Sequence, residues 1–201
     1  AWGVYVGIKA AVRSRLGRED LKGLKVAGQG LGHVGYELCQ LLARDGAILS
    51  VADINRAQIE RAIGELGATA VDPDKVYDLD TDVFTPCALG AVINDATIPR
   101  LKAAIVAGSA NNQLAEARHA NALRVANILY APDYAINAGG IINIAHEGPA
   151  YDKERAFVQV SKIHDTLLEI FALSEADDVS TATAANRIAL QRLQATIGQA
   201  S

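Results

Sequence analysis

The chain alternates between two patterns of apolar residues. Short, nearly continuous apolar runs predict strands that are buried on both faces, and they lie at residues 24–27, 48–52, 83–85, 104–107 and 128–130. Between the first two runs, apolar residues recur at helical spacing at Val34, Leu38, Leu41 and Leu42. Strands that alternate with helices predict an α/β fold of the Rossmann type, a doubly wound parallel sheet with helices on both faces.

Further helices are predicted before, within and after this core. Residues 2–16 have a helical pattern, and Asn55 begins a helix that runs to about Leu66, with Gln58 at the spacing of a capping box. From residue 151 onward only helical spacing is present, at Val160, Ile163, Leu167 and Phe171, and a last helix starts near Ser180. We therefore expect an opening helix (1–17), a Rossmann core (24–145) and extra C-terminal helices (151–201).

Composition restricts the class of protein. Half of the residues are hydrophobic and only 5% are aromatic, so the core is expected to be aliphatic, and the net charge of −4 argues against a nucleic-acid partner. The two cysteines, Cys39 and Cys87, form no C-x-x-C motif, so we predict no metal site and a reducing, cytoplasmic location. Neither an apolar run of transmembrane length nor a basic-then-apolar signal pattern opens the sequence, so we expect no membrane partner.

A glycine-rich loop follows the first apolar run. Gly30, Gly32 and Gly35 form the pattern G-x-G-x-x-G, and Asp53 follows 23 residues after Gly30 at the end of the next run. In such a loop the glycines permit a tight turn, backbone approach to a pyrophosphate and close helix packing, while the acidic residue accepts from ribose hydroxyls. The pattern predicts an NAD site formed by Gly30, Leu31, Gly32, His33, Val34, Gly35 and Asp53.

Two alternatives to this cofactor remain open. The same loop is compatible with a purely structural turn, or with another nucleoside ligand such as S-adenosylmethionine. Asp53 would repel a 2′-phosphate and so favours NAD, whereas Arg56, three residues later, is a feature that could accommodate NADP.

Three further stretches each follow a predicted strand: "FTPCALGAVIN" (84–94), "VAGSANNQL" (106–114) and "YAPDYAINAGGIIN" (130–143). With "GIKAA" and "DINRAQIERAI", they make the chain resemble the cofactor domain of the glutamate/leucine/phenylalanine/valine dehydrogenases over nearly its whole length. The chain departs from that pattern at Gly35, where alanine is frequent, and at "HEGPAY" (146–151), where a more acidic stretch is expected.

The resemblance implies roles for individual residues. Asn137 would contact the nicotinamide carboxamide, and Ala88 and Asn111 would approach the nicotinamide-ribose half; alternatively, Asn137 is an ordinary turn residue before two glycines. Ile141 and Ile144 would form an aliphatic wall for the substrate side chain, although they could also be core residues. We interpret Cys87 as a packed residue and not a nucleophile, and the four histidines as surface or loop residues: His33, His119, His146 and His164.

The resemblance also implies an activity: NAD-dependent, reversible oxidative deamination of leucine or another branched-chain amino acid to a 2-oxo acid and ammonia. In the family the proton-transferring lysine and carboxylate belong to an N-terminal domain, so we assign no catalytic residue here. Because the sequence opens inside a helical pattern, we expect it to be a fragment. We expect this fragment to bind NAD but to show no turnover, because it lacks the proton-transferring groups. The full-length protein is expected to be a homo-oligomer. The alternatives are a phenylalanine or valine dehydrogenase, and a non-catalytic NAD-sensing domain.

Overall fold

One parallel sheet organises the chain, for which a computed structural model describes residues 1–144 and 153–199. Within these ranges the strands are β1 (Lys25–Gln29), β2 (Ile48–Ala52), β3 (Thr69–Ala70), β4 (Val83–Pro86), β5 (Ile105–Val106) and β6 (Leu129–Tyr130). They are ordered β3-β2-β1-β4-β5-β6, and every neighbouring pair is parallel. This is the strand order of the Rossmann fold, and the predicted fold class is confirmed.

Helices connect and cover these strands. They are α1 (Trp2–Leu16), α2 (His33–Arg44), α3 (Arg56–Leu66), α4 (His119–Val125), α5 (Asp133–Ile136), α6 (Gly139–Ile144), α7 (Lys153–Ser161), α8 (Ile163–Ala176) and α9 (Thr181–Gln199). Two short 3₁₀ helices, Val76–Asp78 and Ile98–Arg100, flank β4 along the chain. Among the described residues, no helix combines the length and apolar character that crossing a membrane requires.

The strands contribute side chains to two separate cores, which explains their continuous apolar runs. Successive strand residues point to opposite faces of the sheet: Val26 lies in one core and Ala27 in the other, and Ile105 and Val106 are divided in the same way. The first core contains the inner faces of α1, α2 and α8. The second is covered more thinly, by α4 and the 3₁₀ helices, so the predicted two-sided cover is present but unequal.

Several local predictions need correction. The sequence pattern did not indicate β3, an edge strand of two exposed residues without alternation. Val160 and Ile163 were predicted to follow one helical spacing, but α7 ends at Ser161 and α8 begins two residues later. The capping box at Asn55 is only half formed. Asn55 accepts a hydrogen bond from the backbone N–H of Ala57, but its own N–H donates to Asp53 and not to Gln58.

Helix α1 packs closely against the C-terminal helices because it carries glycines on that side. A Cβ atom at Gly7 would lie 2.5 Å from Ile136 Cγ1 and 2.9 Å from Leu167 Cδ1, so no larger residue fits without movement. Leu167 is fully buried at this contact. The C-terminal helices therefore belong to the same core as the opening helix and the first face of the sheet.

We expect Leu167→Ala to lower the free energy of unfolding by about 2–5 kcal/mol, because it removes buried methyl groups and leaves a cavity between α1 and α8. Leu193→Ala is the matched control, since Leu193 lies on α9 with 60% of its surface exposed, and it should change the free energy by less than about 0.5 kcal/mol. Urea denaturation of both variants measures the difference. Equal losses of stability in the two variants would contradict the close packing of α8 against α1.

Candidate functional site

The loops that follow β1 and β4 meet at the centre of the sheet edge. Chain connections run outward in both directions from these neighbouring strands, so a crevice is expected at their carboxyl ends. Gly30 follows β1 with φ +97°, and a Cβ there would lie 2.8 Å from the backbone nitrogen of Ala88, which follows β4. The structure thus brings Ala88, predicted from the resemblance alone, against the glycine loop.

The three glycines of the loop are required for different reasons. At Gly35 an added Cβ would overlap the carbonyl oxygen of Gly30 and lie 3.1 Å from Cys87 Cβ, so glycine lets α2 approach β1 and β4 closely. Gly32, by contrast, is exposed and has no atom within 4 Å of an added Cβ. It precedes the first turn of α2, where the N–H groups of His33 and Val34 have no intrahelical acceptor. The open side of the loop can therefore receive an anionic group.

Asp53, which follows β2, fixes the position of this loop. Its Oδ2 accepts a hydrogen bond of 2.5 Å from the backbone N–H of Leu31, and its Oδ1 accepts one of 2.7 Å from Asn55. The Leu31 side chain is fully buried, so Leu31 supports the loop through both its side chain and its N–H. Asp53 is half-exposed. A carboxylate accepts at about four positions, so two remain for a ligand.

The two predicted asparagines form a pair farther along the same edge. Asn137 follows α5 and donates from its side-chain nitrogen to Asn111 Oδ1 at 2.8 Å. Asn111 lies in the loop after β5, and it is exposed, while Asn137 is half-buried. This hydrogen bond leaves Asn137 Oδ1 as an acceptor and Asn111 Nδ2 as a donor. The pair can therefore receive one donor and one acceptor together, as a carboxamide presents them.

The predicted apolar wall lies on α6, directly after the asparagine pair. Ile141 is 75% exposed, so it is not a core residue among the described part of the chain, whereas the neighbouring Ile142 packs against the first core. Ile144 ends the helix, but its side chain lies outside the described residues. The stretch "HEGPAY" lies outside them as well.

The cysteines show no feature of a nucleophile. Cys39 is buried on α2, and burial raises the pKa of its thiol to about 12. Cys87 is half-buried behind Gly35, with Thr85 Oγ1 3.5 Å from its sulfur. Its backbone N–H donates to the carbonyl of Gln29, at the end of β1. Cys87 therefore packs and supports the loop after β4, as predicted.

The prediction that all four histidines are surface or loop residues is wrong for His119. This residue begins α4 and is 1% exposed; its Nδ1 accepts from the Glu116 N–H, and its Nε2 lies 3.3 Å from Asp95 Oδ1. His33 is exposed, His164 is half-buried on α8, and His146 lies outside the described residues. The contact with Asp95 joins positions 24 residues apart, so the sequence spacing did not indicate it.

The side chains of Asp95, Glu116 and His119 lie close enough to be considered as metal ligands. However, the Arg118 guanidinium donates to both carboxylates, so it offsets part of their negative charge and occupies oxygens that a cation would need. The hydrogen bond from Arg118 lowers the pKa of the Asp95 carboxyl to about 2, so this ion pair persists at neutral pH. We interpret the cluster as a structural contact between the β4–β5 connection and α4.

Sequence reasoning missed two residues beside the asparagine pair. Gln113 is fully buried in the loop after β5, and Asp133 begins α5 and accepts from its backbone N–H. The signal for Asp133 was its place after Pro132, because acidic residues favour the first turn of a helix. Nothing in the local sequence indicates the bond between them, since 20 residues separate the two positions.

Comparison with known proteins gives consistent results. The model of the glutamate/leucine/phenylalanine/valine dehydrogenase family matches residues 54–199. Leucine dehydrogenase of Thermoactinomyces intermedius is 52% identical over 194 residues, which cover 96% of this chain and 53% of the relative. Phenylalanine dehydrogenase of Bacillus thermotolerans is 44% identical over 200 residues, or 97% of this chain and 52% of the relative.

Among solved structures, the crystal structure of L-tryptophan dehydrogenase from Nostoc punctiforme matches with a TM-score of 0.93 at 49% identity. The match covers 96% of this chain and 57% of that one. The chain thus spans about half the length of the curated relatives it matches.

We expect Gly30→Ala to lower the free energy of unfolding by about 1–3 kcal/mol, because alanine is strained at this positive φ and its Cβ would collide with Ala88. Gly64→Ala is the matched control on α3, where an added Cβ meets no atom within 4 Å. Because alanine is the better helix former, that variant should be stabilised by up to about 1 kcal/mol. Urea denaturation compares them, and equal effects would contradict the close contact at Gly30.

Proposed function

Since the chain belongs to the glutamate/leucine/phenylalanine/valine dehydrogenase family, we propose that it forms the NAD-binding part of an amino-acid dehydrogenase. Membership confirms the resemblance predicted from the motifs. The observation that carries the proposal is the order of polar groups along one sheet edge. Asp53, the N-terminus of α2, and the Asn111–Asn137 pair follow one another from β2 to β6.

The first part of this edge suits the ADP-ribose half of NAD. Gly32 leaves open space before α2, and the free N–H groups and positive end of the helix dipole favour a pyrophosphate. Asp53 has acceptor capacity left for the ribose hydroxyls. Its negative charge lies where the 2′-phosphate of NADP would be placed, which favours NAD.

The second part suits the nicotinamide half. The acceptor of Asn137 and the donor of Asn111 complement the amide nitrogen and oxygen of the carboxamide. Two hydrogen bonds would fix which face of the ring is presented to the substrate. Bound here, nicotinamide would accept a hydride from the α-carbon of the amino acid.

We propose that the whole protein deaminates a branched-chain amino acid, with leucine as the first choice. Ile141 is exposed on α6, four residues after Asn137, and it offers an apolar surface to an aliphatic side chain. An apolar surface would leave a substrate carboxylate without a partner. The reaction also needs an acid and a base for proton transfer, and we assign neither to residues 1–201. The homo-oligomeric state and cytoplasmic location stay predictions.

Two other functions compete with deamination of a branched-chain amino acid. Relatives named as L-tryptophan and phenylalanine dehydrogenases are 50% and 44% identical to this chain, so an aromatic substrate is the main alternative to leucine. A non-catalytic NAD sensor would have no need of an exposed apolar residue beside the nicotinamide. It would bind NAD and deaminate no amino acid.

We expect Asp53→Ser to shift the ratio of the Kd values for NADP and NAD toward NADP by about 1–3 kcal/mol, the contribution of a charge-assisted hydrogen bond. Both cofactors use the same loop, so any loss of support for Leu31 cancels in the ratio. Calorimetric titration of both cofactors measures it. Asp80→Ser is the control, since Asp80 is 86% exposed and paired with Lys25 at the opposite end of β1. Wild-type protein that binds NADP as tightly as NAD would contradict the role of Asp53.

In the full-length enzyme, we expect Ile141→Ser to lower kcat/KM for leucine more than for alanine. The loss of two or three apolar groups, at about 0.8 kcal/mol each, removes transition-state binding of the longer side chain only. Ile48→Ser is the control, because Ile48 is 57% exposed at the amino end of β2. Equal reductions for both substrates would show that Ile141 does not contact the side chain. Assays with phenylalanine and tryptophan test the aromatic alternative.

A further inference from the structure

Within the described residues, Asp133 makes four hydrogen bonds at the start of α5, one of which runs from its own backbone N–H to the Tyr130 hydroxyl oxygen at 3.2 Å. Its Oδ1 accepts from the N–H of Tyr134 at 2.9 Å, and its Oδ2 accepts from the N–H of Gln113 at 3.1 Å. Its backbone carbonyl accepts from the N–H of Asn137 at 2.9 Å. The side chain of Asp133 thus connects α5, the helix that Asn137 follows, with a loop of the neighbouring strand, while the bond from the Asn137 N–H is a helical backbone bond independent of that side chain.

Gln113 transmits this connection to the loop that carries Asn111. Its side chain is fully buried, and its Nε2 donates to the carbonyls of Gly108 and Ala110 at 2.9 and 3.0 Å. The N–H of Ala110 in turn donates to the carbonyl of Pro86, at the end of β4. Asn111 therefore lies between Ala110, which is bonded to the end of β4, and Gln113, which is bonded to Asp133.

From these contacts we propose that Asp133 is a positioning residue, which sets the separation of Asn111 and Asn137 and thereby orients their amides for the nicotinamide carboxamide. This inference rests on the proposed function, because it concerns the nicotinamide half of that site. It assigns to Asp133 no contact with cofactor or substrate.

A role confined to helix stability does not account for the second carboxylate oxygen. An acidic residue in the first turn stabilises a helix by accepting from its free N–H groups and by interacting with its dipole. Asp133 Oδ1 does this when it accepts from the N–H of Tyr134. Oδ2 points instead to Gln113, outside the helix. Both partners are N–H donors, so a carboxylate satisfies both, whereas an asparagine side chain has only one acceptor oxygen.

The test compares NADH with ADP-ribose, which lacks the nicotinamide. In residues 1–201 we expect Asp133→Asn to raise the Kd for NADH about tenfold and to change the Kd for ADP-ribose by less than about twofold, both measured by calorimetry. Asp133→Ser should likewise raise the Kd for NADH but not the Kd for ADP-ribose, because the shorter serine side chain can reach Tyr134 but not Gln113. Asp82→Asn is the matched control. Asp82 likewise accepts a cross-strand backbone N–H, from Lys25 at 2.8 Å, but at the amino end of the sheet.

A double-mutant cycle separates positioning from general weakening. In the Asn137→Ala background the amide pair is already absent, so Asp133→Asn should have little further effect on NADH binding. If the effects of the two substitutions are additive, Asp133 acts independently of Asn137 and the inference is wrong.

The outcomes distinguish this inference from the function on which it rests. If wild-type protein binds neither NADH nor ADP-ribose, the proposed function is wrong and the inference with it. If wild-type protein binds both ligands, but Asp133→Asn weakens the binding of NADH and ADP-ribose equally or leaves both unchanged, the proposed function stands and the positioning role is overturned.

Discussion

The candidate site depends on the close packing of α2 against the ends of β1 and β4. Neither Gly30 nor Gly35 has space for a Cβ, because each lies against backbone: Gly30 against Ala88, and Gly35 against Gly30 itself. This contact brings the first turn of α2 to the edge of the sheet, with its N–H groups directed outward. Gly32 faces the open side of the same turn. Two glycines thus satisfy internal packing, and the third leaves space for a ligand.

The fold was largely predictable because its strands are buried on both faces. Continuous apolar runs mark such strands clearly, and five of the six were found within about one or two residues of their ends. The exposed edge strand β3 has no such run, since its two residues face solvent. The break between α7 and α8 was also missed. Val160 and Ile163 contribute to the same core from different helices, so the helical spacing of apolar residues continues across the point where α7 ends and α8 begins.

The site was predictable where its chemistry is local in sequence. The glycine spacing, the acidic residue after β2 and the stretches around Asn111 and Asn137 are each contained in a few residues. The contacts that hold these groups in place connect distant positions: Asp53 with Leu31, Asp133 with Gln113, and Asp95 with His119. Such partners follow from how the loops pack at the sheet edge, which periodicity does not specify. For this reason the sequence indicated the candidate ligand-binding residues but not the hydrogen bonds that connect them to distant positions.

These supports form a continuous series along the edge of the sheet. Asp53 connects the loops after β2 and β1; the Cys87 N–H donates to Gln29 between β4 and β1, and the Ala110 N–H donates to Pro86 between β5 and β4. Asp133 completes the series at β6. Each polar loop at this edge is thus held by at least one hydrogen bond to a neighbouring loop or strand end. Ile141 differs, because its side chain is mostly exposed. The proposed cofactor contacts therefore rest on polar groups that hydrogen bonds between neighbouring loops hold in place, whereas the proposed substrate contact rests on one exposed apolar side chain.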